Sequence, residues 1–391
     1  MDRRLLVLAL GMFALGTDSF VMAGILPEIS RAFGVPIGVA GQITTVYAIT
    51  YALAAPTVAA MAARVPRKTL LLASLGTFVL ANLATALAPS FGFALVTRVV
   101  AGLGAAMFAP TATGAAATIV RPEKRGFALA IVITGLTAST ALGTPLGALI
   151  GGFGDWRWTM LFVSALAALA GVGVSTLLSD IPLLPAISLL QRITPVKEAR
   201  VALTLITGLT YQAGHFICYI YFAVVFSEII HGRTLLLGGL LVLWGVSGLI
   251  CNLVAGRLSD SIGNSKVILC GLIMLAVIMG CLPLASQNIW TAAIVVMAWG
   301  GVAWGLLVPQ QHRLVMAASH SAPVVLGLNT SGTYLGITLA GGIGAFGIKA
   351  VGMHNLGYIS AAFIMVALLF AELATQRINA AQQTLLIERL Q

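Results

Sequence analysis

Charge is what this chain of 391 residues has least of: Asp, Glu, Lys and Arg together make up 8%, and only 11 residues are acidic. Soluble domains carry about 25% charged residues, so there is too little charge to coat a water-facing surface. That excludes a soluble enzyme and a disordered chain. The basic excess is 21 Lys and Arg, a formal net charge of +10. It does not indicate nucleic acid, because the cations stand in short clusters between apolar runs. Cysteine is also scarce. Cys218, Cys251, Cys270 and Cys281 each sit within an apolar run, away from metal-ligand spacing and from any disulfide framework. No Gly-x-x-x-x-Gly-Lys-[Ser/Thr] loop occurs, which leaves ATP-driven pumping without support. A His-Glu-x-x-His motif and paired intramembrane carboxylates are absent too, so neither substrate chemistry nor a metal or cofactor is expected.

What the chain does have is hydrocarbon. Hydrophobic residues make up 59%, and the mean hydropathy is +1.04. A membrane-crossing helix needs about 20 apolar residues. Twelve runs qualify, at 5–25, 38–62, 69–88, 92–120, 126–151, 157–179, 201–229, 235–258, 266–285, 290–314, 323–348 and 355–376. Runs of this length without period-2 alternation are helices, because lipid tolerates only helices and closed barrels. The amino terminus leads from Arg3 and Arg4 straight into the first run without a small-residue cleavage site, and is read as a first span. The expected fold is an all-α membrane protein.

Placing the amino terminus inside puts sixteen Lys and Arg on the inner side, among them Arg64, Arg67, Lys124, Lys266 and Arg313. The outer loops then hold only Arg31, Arg157, Arg233 and Lys349. Retention of basic loops on the cytoplasmic side then predicts that both termini are cytoplasmic. The longest polar connection, Leu178 to Arg200, contains Pro182, Pro185 and Pro195 and divides the chain in two. The expected units are a six-helix bundle over 1–180, a cytoplasmic linker over 181–200 and a second bundle over 201–391. The halves repeat. Ala59 to Lys68 after span two matches Gly256 to Lys266 after span eight, at an offset of 197 residues. Parallel repeats of this kind place a substrate site between the halves, near the bilayer midplane.

Arg98 and Asp18 are the intramembrane charges of the first six spans. A guanidinium in hydrocarbon costs several kcal/mol, so it faces a cavity or a partner. At 1.5 Å per residue, both lie about 10 Å from the outer end of their spans. His215 lies at similar depth in span seven, and the repeat offset carries position 18 onto it. Asp18, Arg98 and His215 are therefore the candidate proton-coupling residues, placed in one cavity, with Glu228 the next titratable group. Tyr47 and Tyr51 share a face of span two, and Tyr211, His215 and Tyr219 share a face of span seven. Tyr47, Tyr51, Met107, Gln212, Tyr219 and Asn329 are the candidate substrate contacts. Helix packing is the plainer account of the tyrosines and amides, as it is of the Gly143, Gly147 and Gly151 spacing.

These motifs resemble one family. Gly256, Asp260, Gly263 and Lys266 resemble the loop signature of the major facilitator superfamily, and Arg64 and Arg67 stand in a degenerate first copy. Leu95 to Gly104, around Arg98, is similar to the fourth-span motif. Gly135 to Gly151, with Pro145, resembles the fifth-span motif of the antiporter branch, and Asp155-Trp156-Arg157 then opens span six. Asp18-Ser19-Phe20 with Gly24 to Ile29 resembles the first span of twelve-helix drug:proton antiporters, the sugar-efflux and chloramphenicol-resistance branch above all. Two motifs depart from the pattern. The first loop signature has Ala63 and Pro66 where the family has an acid and a glycine, and the first-span acid stands one residue early. The resemblance implies two six-helix bundles in parallel repeat, in a bacterial inner membrane. It implies a monomer whose partners are lipid, protons and a small-molecule substrate. It also implies proton-coupled export of small amphipathic compounds. A proton-coupled importer, an intramembrane enzyme and a non-transporting receptor remain open at this stage.

Overall fold

The computed structural model describes residues 2–62, 65–179, 181 and 189–390. Twelve helices are long and apolar enough to cross a membrane. In chain order they are α1 (Arg3–Phe33), α2 (Ile37–Val58), α3 (Arg67–Ala86), α4 (Phe91–Ile119), α5 (Arg125–Phe153) and α6 (Trp156–Leu177). The second six are α7 (Ala199–Ile220), α8 (Thr234–Ile262), α9 (Asn264–Ala285), α10 (Ile289–Ala317), α11 (Ser319–Val351) and α12 (Met353–Ala381). No strand occurs among the described residues. Large apolar side chains such as Leu53, Leu80, Leu169, Leu253 and Phe346 stand exposed around the bundle. A water-soluble monomer does not present apolar surface on that scale, whereas lipid covers it.

Short polar devices start several helices. Asp2 caps α1 by accepting from the Arg4 amide at 3.0 Å. The hydrogen-bonded Arg4 guanidinium holds the Asp2 carboxyl below its ordinary value. Ser90, Asp155 and Asn288 cap α4, α6 and α10 in the same way. Between α8 and α9, Gly263 takes φ +89° and ψ 147°, a conformation open in practice only to glycine.

The pairing of helices follows the repeat. In the first six, α1 packs on α5 and α6, α2 on α4, and α3 on α4 and α6; in the second six, α7 packs on α11 and α12, α8 on α10, and α9 on α10 and α12. The six-helix sets meet where α2 lies against α11 and α8 against α5, which is again a matched pair of contacts. A short helix, Leu189–Ile193, touches both α2 and α11. Its Arg192 guanidinium is held below its ordinary value by burial and by the neighbouring Arg67.

The sequence-based spans differ from the helices in three main places, the first being the opening span, expected over 5–25, which continues to Phe33. The run expected over 201–229 leaves the helix at Ile220 and continues as two single turns, Phe222–Val225 and Ser227–Ile230. Glu228 therefore stands at the end of the bundle, its side chain 60% exposed and 3.2 Å from His354, and is not an intramembrane carboxylate. Arg313, counted as a loop cation, lies inside α10 and is 3% exposed, because that helix continues to Ala317. Arg64 and Ala63 of the first loop signature lie outside the described residues.

Candidate functional site

Helix α1 carries Asp18 into the first half, and α4 brings Arg98 to it. Arg98 Nη1 donates to both carboxylate oxygens of Asp18, at 2.8 and 2.9 Å, and lies 3.3 Å from Asn82 Oδ1 on α3. Both charged side chains are 0% exposed. The guanidinium also sits over the ring of Tyr47 on α2, its Cζ 4.5 Å from the centroid, in cation–π range. Four helices thus converge on one charge pair. Nε and Nη2 of Arg98 carry no protein partner, so the guanidinium keeps donor capacity in reserve.

The fifth helix makes room for this pair. A methyl added at Gly143 would overlap Thr17 Oγ1, one at Gly147 would overlap Val21, and one at Gly151 would overlap Ile25. These three glycines seat α5 on the Thr17, Val21 and Ile25 face of α1, directly beside Asp18. Pro145 lies between them, just past a π-helical turn over Ser139–Gly143. Such turns insert an extra residue and re-aim the helix.

Next to the pair, the two halves touch. Ser19 Oγ lies 3.1 Å from Tyr47 Oη and 3.4 Å from Tyr334 Oη, the latter on α11. Tyr334 stacks on Tyr51 with centroids 3.9 Å apart and planes 22° apart. Farther along α1, Phe20 enters an aromatic cluster of the second half, against Phe216, Tyr219 and Trp304 at 5.8 to 6.1 Å. Tyr219 donates to the Phe20 carbonyl and packs on Trp244. Towards one end the halves are closed by Tyr221, whose phenol donates to the Gly38 and Gly341 carbonyls. Its ring lies so close to Gly41 and Gly344 that a Cβ at either would overlap it.

The remaining candidates do not join the charge pair. His215, 2% exposed, lies 2.6 Å from Gln212 Oε1 and packs on Phe216 and Tyr211. It forms a separate cluster with no ion-pair partner, connected to α1 through Phe216 and Phe20 rather than through Asp18. The expected single cavity of three titratable groups is therefore two clusters, because position 215 has the depth of Asp18 but no charged neighbour. Asn329 is buried, its Oδ1 lying close to Gly208, as does the Gln310 amide. Met107 is half-buried on α4. In the loop signatures, Arg67 opens α3, Gly256 is half-buried on α8, Asp260 is exposed and Gly263 makes the turn described above.

Sequence reasoning missed Asn82, Ser19 and Tyr334. Asn82 carried a signal, as the one asparagine amide amid the apolar residues of its span. Tyr334 carried none, since its contacts arise only where the halves meet.

The sequence profile of the Major Facilitator Superfamily matches residues 8–340 and 218–385. The chain belongs to that superfamily. It is a membrane transporter, not an enzyme. It is 31% identical to the inner membrane transport protein YdhP of Escherichia coli K12, over 90% of each chain. It is 34% identical to a chloramphenicol resistance protein of Streptomyces lividans, over 66% of each. A Mannheimia succiniciproducens protein named "Probable sugar efflux transporter" is 27% identical, over 94% of this chain and 92% of its own. The twelve helices and their matched pairings are those of the twelve-helix fold of this superfamily.

Proposed function

We propose that this transporter exports small amphipathic compounds in exchange for protons, by alternating access between halves 1–180 and 201–391 joined by the linker 181–200. The observation that carries the reading is the fully buried Asp18–Arg98 pair beside the contact between the halves. Inside a membrane, a carboxylate and an arginine in contact form a neutral unit that tolerates burial. A proton arriving on Asp18 removes one charge and releases Arg98 from it. The guanidinium then turns to Asn82, to water or to a substrate oxygen through its free donors. Loss of the proton restores the pair. Proton occupancy and the arrangement of α1, α4 and α2 thus depend on each other, which is what coupling requires.

Export is favoured by two of the relatives, named for chloramphenicol resistance and sugar efflux. The rings and hydroxyls of Tyr47, Tyr51 and Tyr219 and the amides of Gln212 and Asn329 suit an amphipathic substrate. We infer a monomer in a bacterial inner membrane with both termini cytoplasmic. With Arg313 buried, fifteen inner Lys and Arg still face four outer ones. The test is Asp18→Asn in proteoliposomes with an imposed pH gradient. The variant is expected to lose gradient-driven accumulation while keeping downhill exchange. Normal accumulation by the variant would remove Asp18 from the coupling.

A further inference from the structure

Tyr334 comes from the second half yet sits in a clamp built by the first. Its ring is stacked on Tyr51 at 3.9 Å, its hydroxyl is 3.4 Å from Ser19 Oγ, and Tyr47 lies 6.3 Å away at 57°. Tyr47 and Tyr51 are buried at 1% and 3% exposure, whereas Tyr334 is half-buried. The clamp therefore offers an aromatic face and a hydroxyl at fixed separation. Its partner is delivered by α11, a helix that must shift against α2 whenever the halves rock.

We propose that Tyr334 is a tethered stand-in for the substrate: the Tyr51, Tyr47 and Ser19 clamp binds planar aromatic compounds that carry a short hydrogen-bonding oxygen, and such a compound enters by displacing the Tyr334 ring. This names a substrate class for the export reading above and rests on it. The chemistry follows from what Tyr334 itself satisfies. A ring is needed to replace the stack on Tyr51, and an oxygen is needed to replace the phenol at Ser19. A saturated hydroxylated ring offers the second without the first. The clamp adjoins Asp18 through Ser19, the next residue on α1. Tyr47, whose ring covers Arg98, lies beside Tyr334, so displacing Tyr334 removes a neighbour that holds Tyr47 and Ser19 against the charge pair, linking substrate entry to proton exchange.

A built-in competitor lowers apparent affinity by the fraction of time it leaves the site empty. Removing it should tighten binding, the opposite of what removing a wall of a site does. The experiment is equilibrium dialysis of 4-nitrophenol, in its neutral form, against the full-length protein in detergent. Tyr334→Ala is expected to bind about three- to tenfold more tightly, the range an aromatic pair supplies. Tyr51→Ala should weaken binding and abolish the gain when combined with Tyr334→Ala. Tyr334→Phe keeps the ring and loses the hydroxyl, so a smaller tightening is expected; it serves where the alanine variant does not fold. Cyclohexanol should show no dependence on residue 334. Weaker or unchanged 4-nitrophenol binding in both Tyr334 variants would overturn the proposal. Dialysis needs no gradient, so this result stands apart from the pumping test of Asp18→Asn.

Discussion

Removing both charges of the buried pair should be far less damaging than removing either one. Arg98 makes two contacts below 3 Å to Asp18, and both side chains are fully buried. Arg98→Met leaves a carboxylate with no counter-charge, and Asp18→Asn leaves a guanidinium with no counter-charge, only neutral partners such as Asn82 and the Tyr47 ring. Breaking a buried pair from one side costs about 3–5 kcal/mol, whereas replacing both partners by neutral groups of similar volume is close to neutral. If the pair acts as a unit, the two single variants sum to about 6–10 kcal/mol and the double variant loses about 2 kcal/mol or less. The measurement is unfolding in mixed micelles with increasing sodium dodecyl sulfate, followed by tryptophan fluorescence, on the full cycle of four proteins. Additive losses would refute the reasoning. They would mean that the two charges are neutralised independently, by water or lipid headgroups.

Three further outcomes follow from the geometry. Gly147→Leu should destabilise the protein by about 1–3 kcal/mol, the range for overpacking, because a methyl already overlaps Val21 there; an unchanged unfolding midpoint would show that α5 is not seated on α1. Tyr221→Phe removes both hydrogen bonds that tie α7 to Gly38 and Gly341, so a cysteine placed at Ala345 should react faster with a membrane-impermeant maleimide from the outer side, and equal rates would show that the phenol does not hold that end closed. Cysteines at Lys266 and Lys349 should label from opposite faces of intact cells, 266 from the cytoplasm and 349 from outside; labelling of 266 from outside would reverse the inferred orientation.

Most of the fold was legible because lipid leaves so few options. A chain with this little charge can satisfy its backbone only as helices, and the turn residues between runs set the helix ends to within a few positions in most spans. Where the reading failed, a local feature overrode hydropathy. The apolar run through 229 conceals a break at Tyr221, where the phenol finds carbonyl partners on α2 and α11 and the backbone leaves the helix. Arg313 looked like a loop cation because charge usually ends a span. Inside α10 it donates instead to Gln310 and to the Ala371 carbonyl of α12. Depth arithmetic put Asp18 and Arg98 at one level, but level alone cannot say which face of a helix a residue takes. The one-residue displacement of Asp18 from the family pattern gave no hint that it would meet Arg98 squarely. Tyr334, 315 residues from Ser19, was out of reach of any local pattern.

The repeat itself explains why the two halves do different work. Duplication makes helix positions equivalent, so residues 18 and 215 share a depth, and the contacts of α1 recur in α7. It does not make their neighbours equivalent. In the first half, position 18 faces an arginine that also reaches an asparagine, and the result is a buried charge pair. In the second half, position 215 faces Gln212 and the rings of Tyr211 and Phe216, and the result is an aromatic cluster without an ion pair. A charged centre in both halves would place two desolvated ion pairs near the contact between them, each carrying its own burial penalty. With the ion pair in one half and the His215 cluster in the other, a disturbance of that cluster reaches the ion pair through the residues between them. Two adjacent residues of α1 do this: Phe20, which packs against Phe216 and Tyr219, and Ser19, which meets Tyr334. Both follow Asp18 directly in the chain. A shift of α1 by a fraction of a helical turn therefore moves the ion pair and both of these contacts together, so on the exchange proposed above the coupling would need no longer route than three consecutive residues.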